Sequence, residues 1–162
     1  MLHSFLLSGK PVEIKYIPER DGRESVSFDG KVVTVKARDE PEARKLLYLW
    51  ARKRASLQIR QSAWRQSRML KIDGFRLNIR DQRSRWGSCS SRKNLSFNFR
   101  IGLAPKEVMD YVVLHELIHL KFMNHSPAFW KELARYCPQY KEHEKWLKRN
   151  GNHLMNSLSA QN

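Results

Sequence analysis

The sequence HELIH at positions 115–119, followed by LKFMNH at positions 120–125, places three histidines and one glutamate at close spacing. On a helix, His115 and His119 lie one turn apart on the same face, so their imidazoles can bind one tetrahedral zinc ion. Glu116 directly follows the first histidine, and its carboxylate can take a proton from a metal-bound water without occupying a coordination position. The pattern predicts a catalytic site with one Zn²⁺ per chain. The alternative is a pair of core histidines that hydrogen-bond locally.

A catalytic zinc site needs a third protein ligand and one open position. His125 lies six residues after His119, a spacing that metzincins also use, although they have glycine where this chain has Phe122. Asn124 tolerates the left-handed conformation that a tight exit from a helix needs. We therefore predict His125 as the third ligand. Three rival ligands lie on later predicted helices: Glu132, Glu142 and His143.

One predicted helix contains HELIH, and further helices are predicted after it. Pro105 opens one that runs to about Phe122, and its apolar residues predict a buried face. Ser126 is a plausible N-cap for a second helix, with Pro127 at its first position, that extends to about Tyr136. We expect a last short helix over residues 141–148 and a polar, frayed tail from residue 150 onward.

The N-terminal half combines strand and helix patterns. Residues 12–17 predict a strand, and residues 24–36 predict a β-hairpin with Asp29-Gly30 at its turn. Residues 40–70 form one long helical pattern, and Pro41 suits its first turn. Residues 75–80 and 95–101 alternate apolar and polar side chains, as half-buried strands do. Together these elements predict an α+β fold with an N-terminal β-hairpin and a long basic helix.

We expect one domain over residues 1–162, because a chain of 162 residues is long enough to bury a single core. Within it, residues 1–72 hold the hairpin and the basic helix, residues 73–150 hold the metal-site core, and residues 151–162 form the frayed tail. The long helix is expected to bury a stripe of large side chains. That stripe comprises Leu46, Leu47, Trp50, Leu57 and Trp64.

Lysines and arginines crowd the other faces of the long helix, and the chain as a whole carries a net charge of +15. A field of this sign attracts polyanions such as nucleic acid, so non-specific nucleic-acid binding through this helix is one interpretation. The alternative is a solvated basic surface without a partner.

The expected location is the cytoplasm. No apolar run approaches the length needed to span a bilayer. The apolar patch Phe5-Leu6-Leu7 lacks the basic region and the cleavage site of a signal peptide. Without an export signal, we expect Cys89 and Cys137 to remain reduced thiols.

The segment RSRWGSCSS at positions 83–91 is rich in arginine and turn residues. Gly87 allows a close approach of backbone or ligand, and Trp86 is a candidate wall of the cleft. Three arginines are candidates to neutralise an anionic substrate or an oxyanion. They are Arg83, Arg85 and Arg92. The alternative is a tight turn packed under the metal helix, with solvated arginines. Cys89 is expected to be a small packing residue, with metal ligation as the alternative.

The segments RWGSCS at 85–90, YVVLHELIHL at 111–120 and NHS at 124–126 resemble the YgjP-like predicted metal-dependent hydrolases. Leu95, Asn98, Arg100 and Pro105 extend the match, which is strong over about half the chain. The resemblance implies a small zincin fold, distantly akin to SprT/Spartan and Wss-type proteases. It also implies His115, His119 and His125 as ligands and Glu116 as catalytic base.

Three functions are compatible with these residues. The first is a zinc-dependent metallopeptidase, in which a strand beside the metal helix aligns the peptide by backbone pairing. The second is a metal-dependent hydrolase of a phosphoanhydride, such as a nucleoside triphosphate, with arginines supplying the positive charge that phosphates need. The third is a nucleic-acid-associated binding protein whose zincin site is recruited there or idle.

Overall fold

A four-stranded sheet forms the N-terminal part of the protein in the computed structural model, which describes residues 4–158. The strands are β1 (Ser4–Leu7), β2 (Lys10–Pro18), β3 (Ser25–Phe28) and β4 (Val32–Ala37), in the order β1-β2-β4-β3. β2 and β4 run parallel, whereas the other pairs are antiparallel. The β3–β4 pair confirms the expected hairpin. The Asp29 carboxylate accepts hydrogen bonds from the amides of Lys31 and Val32, and Gly30 has φ +102.

Helix α1 (Glu40–Leu70) follows this sheet and has the bounds that the sequence predicts. Asp39 caps its start by accepting a hydrogen bond from the Glu42 amide at 2.9 Å, and Lys71 ends it in the left-handed conformation with φ 54. Both caps supply partners to backbone groups that the helix itself leaves unpaired.

The expected stripe of large side chains on α1 is wrong for its C-terminal members. Leu57 is 57% exposed and Trp64 is 56% exposed, although Trp64 contacts the Phe75 ring. The buried face instead consists mainly of small or aliphatic residues. These are Ala43, Leu47, Ala51, Ala55, Ile59, Ala63 and Leu70. Small side chains let the neighbouring backbone come close. The distance at Gly102 shows this, since an added Cβ would lie 2.7 Å from the Ala55 Cβ.

A second sheet has three strands: β5 (Arg76–Arg80), β6 (Gly87–Cys89) and β7 (Asn94–Asn98), in the order β5-β7-β6. The strand expected over residues 95–101 ends early. A 3-10 helix over Phe99–Leu103 follows it, and Asn98 caps this helix by accepting a hydrogen bond from the Arg100 amide. All five residues of the 3-10 helix are buried. Apolar side chains still occur at alternate positions, as in a strand, but the segment has no exposed face.

Three helices complete the fold: α2 (Lys106–Ile118), α3 (Pro127–Tyr136) and α4 (Tyr140–Asn156). The start of α3 agrees with the sequence, since the Ser126 hydroxyl accepts a hydrogen bond from the Phe129 amide. Helix α4 is longer than the short helix expected over 141–148, and it buries Gly151 and Leu154. The expected frayed tail is therefore wrong up to Asn156. The last four residues of the expected tail lie outside the described residues. Within residues 4–158, no helix combines the length and the apolar character needed to cross a membrane.

Candidate metal centre

Helix α2 supplies two of the candidate ligands and the glutamate between them. Its residues Val108, Val112 and Val113 are buried against the rest of the core, which fixes the orientation of the helix. His115 occupies its last turn and is half-buried, and Glu116 is buried. His119 lies at the end of the helix and is also buried.

The three histidines converge through their Nε2 atoms. The Nε2 of His125 lies 3.1 Å from the Nε2 of His115 and 3.1 Å from the Nε2 of His119. The three ligand atoms lie within 4.8 Å of one another. Four ligands around zinc at about 2.0–2.1 Å place neighbouring nitrogens roughly 3.3 Å apart, so the two separations of 3.1 Å suit a tetrahedral ion. The residues therefore fit a metal with three nitrogen ligands.

Hydrogen bonding and ring packing orient the imidazoles. The Nδ1 of His119 is 2.9 Å from the Phe122 carbonyl, which leaves Nε2 to face the other histidines. Such a backbone partner on the second nitrogen is typical of histidines that bind metals. Phe129 contacts all three imidazole rings, and the His125 ring stacks on Trp130 at 5.5 Å.

Burial sets the charge of the groups at this site. It lowers the pKa of His115 to about 4, an effect reinforced by the neighbouring His119 and His125. Burial also lowers the pKa of His119. Both imidazoles are therefore neutral near pH 7, which is the form that binds metal. Burial raises the pKa of Glu116 to about 7, although the charge of Arg85 acts in the opposite direction.

Strand β6 passes directly beside Glu116 at Gly87. A Cβ added to Gly87 would lie 2.8 Å from the Glu116 Cγ and 3.0 Å from its Oε1. Glycine at this position is what allows the strand to approach the glutamate. Cys89, at the end of β6, is half-buried, and burial together with the charge of Glu116 raises its pKa to about 11. Cys89 is not among the described residues that group around a metal position.

The candidate substrate contacts are separated in space. Arg85 and Trp86 line a cavity that also exposes His115 and Glu116. Arg83 and Arg92 are exposed and do not line that cavity. Sequence reasoning missed Leu147, which lines the same cavity from α4. Its only sequence signal was its apolar position on an amphipathic helix, which also fits an ordinary core residue.

The rival ligands point elsewhere. Glu132 forms ion pairs with Lys121 at 3.5 Å and Arg135 at 4.0 Å. Glu142 is exposed at the start of α4, and the His143 ring lies 5.9 Å from the Tyr111 ring. Among residues 4–158, the group of potential metal ligands that converges comprises the three predicted histidines.

Comparison with known proteins identifies the family. No curated protein matches the chain significantly. The crystal structure of the metallopeptidase zymogen of Methanocaldococcus jannaschii jannalysin is similar, with a TM-score of 0.52 and 26% sequence identity. The match covers 57% of this chain and 95% of that one. The small sheets and helices therefore form an α+β metallopeptidase fold. The family model described as YgjP-like, metallopeptidase domain, matches residues 2–150, and the chain belongs to the YgjP-like metallopeptidase family.

Proposed function

We propose that the protein is a zinc-dependent metallopeptidase with His115, His119 and His125 as the zinc ligands. The observation that carries the proposal is the convergence of three imidazoles beside a buried carboxylate. Three nitrogen ligands that leave a fourth position open are typical of catalytic rather than structural zinc sites. When bound, zinc polarises the scissile carbonyl and lowers the pKa of a coordinated water toward about 7.

Glu116 is the proposed general base. It does not belong to the converging ligand group, but it directly follows His115 and precedes His119 by three residues, which places its carboxylate close to the position of the attacking water. Burial favours the protonated form of this carboxyl, which means that it readily holds the proton it removes. The same group can then return that proton to the leaving amine.

Strand β6 is proposed to align the peptide. Within the described residues it pairs with β7 on one side and is an edge strand of the sheet on the other. An extended peptide can add to such an edge through backbone hydrogen bonds. Because Gly87 of this strand contacts Glu116, a peptide paired there would pass the proposed base.

A parallel hydrolysis screen tests the function. Zinc-loaded protein is incubated with a mixed peptide library and, separately, with nucleoside triphosphates. We expect peptide cleavage that a chelator abolishes and added zinc restores. Release of phosphate or pyrophosphate without peptide cleavage would contradict the proposal and favour the phosphoanhydride reaction, which neither the family nor the fold supports.

A further inference from the structure

The C-terminal half of α1 presents a face that the rest of the fold leaves open to solvent. Nearer the start of the helix, Trp50 lies on this face and packs against the Phe28 ring of β3 at 6.3 Å. Further along, the same face carries Leu57 and Trp64, which are 57% and 56% exposed. We call the exposed part the basic-aromatic surface. It comprises Lys53, Leu57, Arg60, Trp64 and Arg68 of α1, together with Phe75 in the segment after the helix.

Two aromatic rings form the centre of this surface. The ring centroids of Trp64 and Phe75 are 5.5 Å apart, and the ring planes meet at 38°. Phe75 is half-buried and supports the indole from one side, while the indole itself remains open to solvent. An exposed tryptophan forgoes the stabilisation that its burial would give. A supported, exposed ring is the arrangement on which proteins stack nucleobases.

Cations flank the rings, and no neighbouring acid offsets them. Arg60 and Arg68 lie one helical turn before and one turn after Trp64, and both are exposed. None of the ion pairs formed within residues 4–158 involves Lys53, Arg60 or Arg68. The sequence has no aspartate or glutamate in residues 43–72. The basic-aromatic surface therefore keeps its positive charge available for an anionic partner.

The combination of charge and rings selects the kind of partner. An acidic peptide would pair with the cations but would leave the exposed indole unused. A helix that binds a membrane separates an apolar face from a cationic face, whereas here apolar and cationic residues alternate along one line from Lys53 to Arg68. A nucleic acid uses both features, because phosphates pair with arginine and bases stack on aromatic rings. In a duplex the base faces are already stacked on one another, so the indole can reach them only in a single strand.

We propose that the basic-aromatic surface binds single-stranded nucleic acid, with a base stacked on Trp64 and phosphates paired with Arg60 and Arg68. From Lys53 to Arg68 the helix rises about 22 Å. That length matches roughly six nucleotides at about 3.4 Å per phosphate. None of these residues lines the cavity beside Glu116, so the proposal does not depend on the peptidase function. It also goes beyond a general attraction of polyanions to α1, because stacking distinguishes single strands from duplexes.

Binding to a single strand and to a duplex of equal length tests this proposal. Fluorescence anisotropy at low salt is measured with a labelled strand of about 15 thymidines and with duplex DNA, and we expect the native protein to bind the single strand more tightly. Trp64→Ala should weaken single-strand binding at least about 5-fold, the smallest effect typical of losing one stacked base. The same variant should bind the duplex as the native protein does. Trp64→Phe retains a ring and should keep most of the single-strand affinity.

Two controls separate stacking from charge and from folding. Met69→Ala removes a similarly exposed apolar side chain from another face of α1 and should bind both probes as the native protein does. Lys53→Gln combined with Arg68→Gln should weaken the binding of both probes. It should also lower the magnitude of the salt slope for the single strand by about 1.4, because each neutralised phosphate contributes about 0.7. Trp64→Ala removes no charge and should leave that slope unchanged.

The outcomes distinguish this surface from its alternatives. A uridine strand of the same length identifies the preferred polymer, RNA or DNA, and the effect of Trp64→Ala should hold for the one that binds more tightly. Undetectable binding, or equal single-strand affinity of the native protein and Trp64→Ala, overturns the proposal. An equal loss of single-strand and duplex binding gives Trp64 a structural role and also overturns it. So does tighter, Trp64-dependent binding to anionic lipid vesicles or to polyglutamate.

Discussion

The imidazoles of His119 and His125 lie beside that of His115 and disfavour its protonation. Burial lowers the pKa of His115 to about 4, and its histidine neighbours add to that effect. A cluster of this kind is poorly suited to be a purely structural polar core, because nitrogens 3.1 Å apart satisfy only some of their hydrogen bonds. A cation placed between the nitrogens satisfies all three lone pairs at once.

His125 lies outside the helix that carries the other two candidate ligands, and it is exposed on the segment between α2 and α3. Replacing it with alanine removes one of three ligands. We expect zinc affinity to fall by at least about 100-fold, beyond the 10–100-fold typical of losing a supporting group. Competition with a chromogenic chelator measures this.

Glu132→Ala is the matched control for that experiment, since Glu132 is the rival ligand and is held in ion pairs on α3. Its zinc affinity should equal that of the native protein. A large loss in Glu132→Ala with none in His125→Ala would indicate a site with a glutamate ligand.

The spacing of His115 and His119 predicts that they lie together, because a helix determines which side chains share a face. The contact between Gly87 and Glu116 was predictable only in part. A glycine between two strand segments indicates a close approach, but the group that approaches depends on how α2 packs on the sheet. Leu147 of the cavity could not be predicted, because α4 reaches the site only through tertiary packing.

Among the elements, those with strong end signals were predicted best. Helix α1 begins at an aspartate cap followed by Pro41, and α3 begins at Ser126 and Pro127. Strand β7 was predicted too long, because apolar residues at alternate positions also occur in a fully buried 3-10 helix. In α4, Gly151 weakens the helical pattern, yet the helix continues because the glycine packs against Trp86.

A buried arginine connects the residues that follow α4 to the core. Arg100 is 1% exposed; it pairs with Asp81 and donates hydrogen bonds to the carbonyls of Ser157 and Leu158. Asp81→Asn leaves this guanidinium without its counter-charge. The free energy of unfolding at pH 7 should fall by about 3 kcal/mol, as measured by urea denaturation.

Asp39→Asn is the control for this variant, because asparagine caps a helix as well as aspartate does and the pair with Arg38 is exposed. Its stability should stay close to that of the native protein. An Asp81→Asn protein as stable as Asp39→Asn would contradict the proposed role of the ion pair.

The pH dependence of the same pair has a definite sign. Burial alone raises the pKa of Asp81, but hydrogen bonds from Arg100 and Tyr48, with the charges of Arg100 and Arg52, hold that pKa below its usual value. The stabilisation is therefore present above the unfolded pKa of about 3.9 and is lost as the pH falls through the lower folded pKa. The stability difference between native protein and Asp81→Asn should shrink over that acidic range.

At the scale of the whole molecule, the metal centre does not explain the net charge of +15. Some of the basic residues on α1 stabilise the fold. Arg52 donates a hydrogen bond to the Tyr48 hydroxyl at 3.3 Å, and the Arg54 guanidinium lies 5.7 Å from the Phe28 ring centroid. Lys53 and Arg68 are exposed and are better probes of binding.

We expect weak binding of DNA that declines steeply as salt increases, because fixed positive charge releases counterions from the polyanion. Reversing Lys53 and Arg68 to glutamate should lower the affinity and flatten the salt dependence. Reversing Lys10 and Lys15, both exposed on β2, changes the net charge equally and should have the smaller effect. Undetectable binding by the native protein at low salt would mean that the charge is only a solvated surface.

The most direct test of the account is Glu116→Gln in zinc-loaded protein, with metal content and peptide turnover measured on the same sample. Glutamine keeps the size of the side chain but cannot accept the proton. We expect about one zinc per chain in both proteins and a fall in turnover of about 10²–10⁴-fold in the variant. Retained turnover would contradict the role of Glu116 as general base, and loss of zinc would show instead that Glu116 is a ligand.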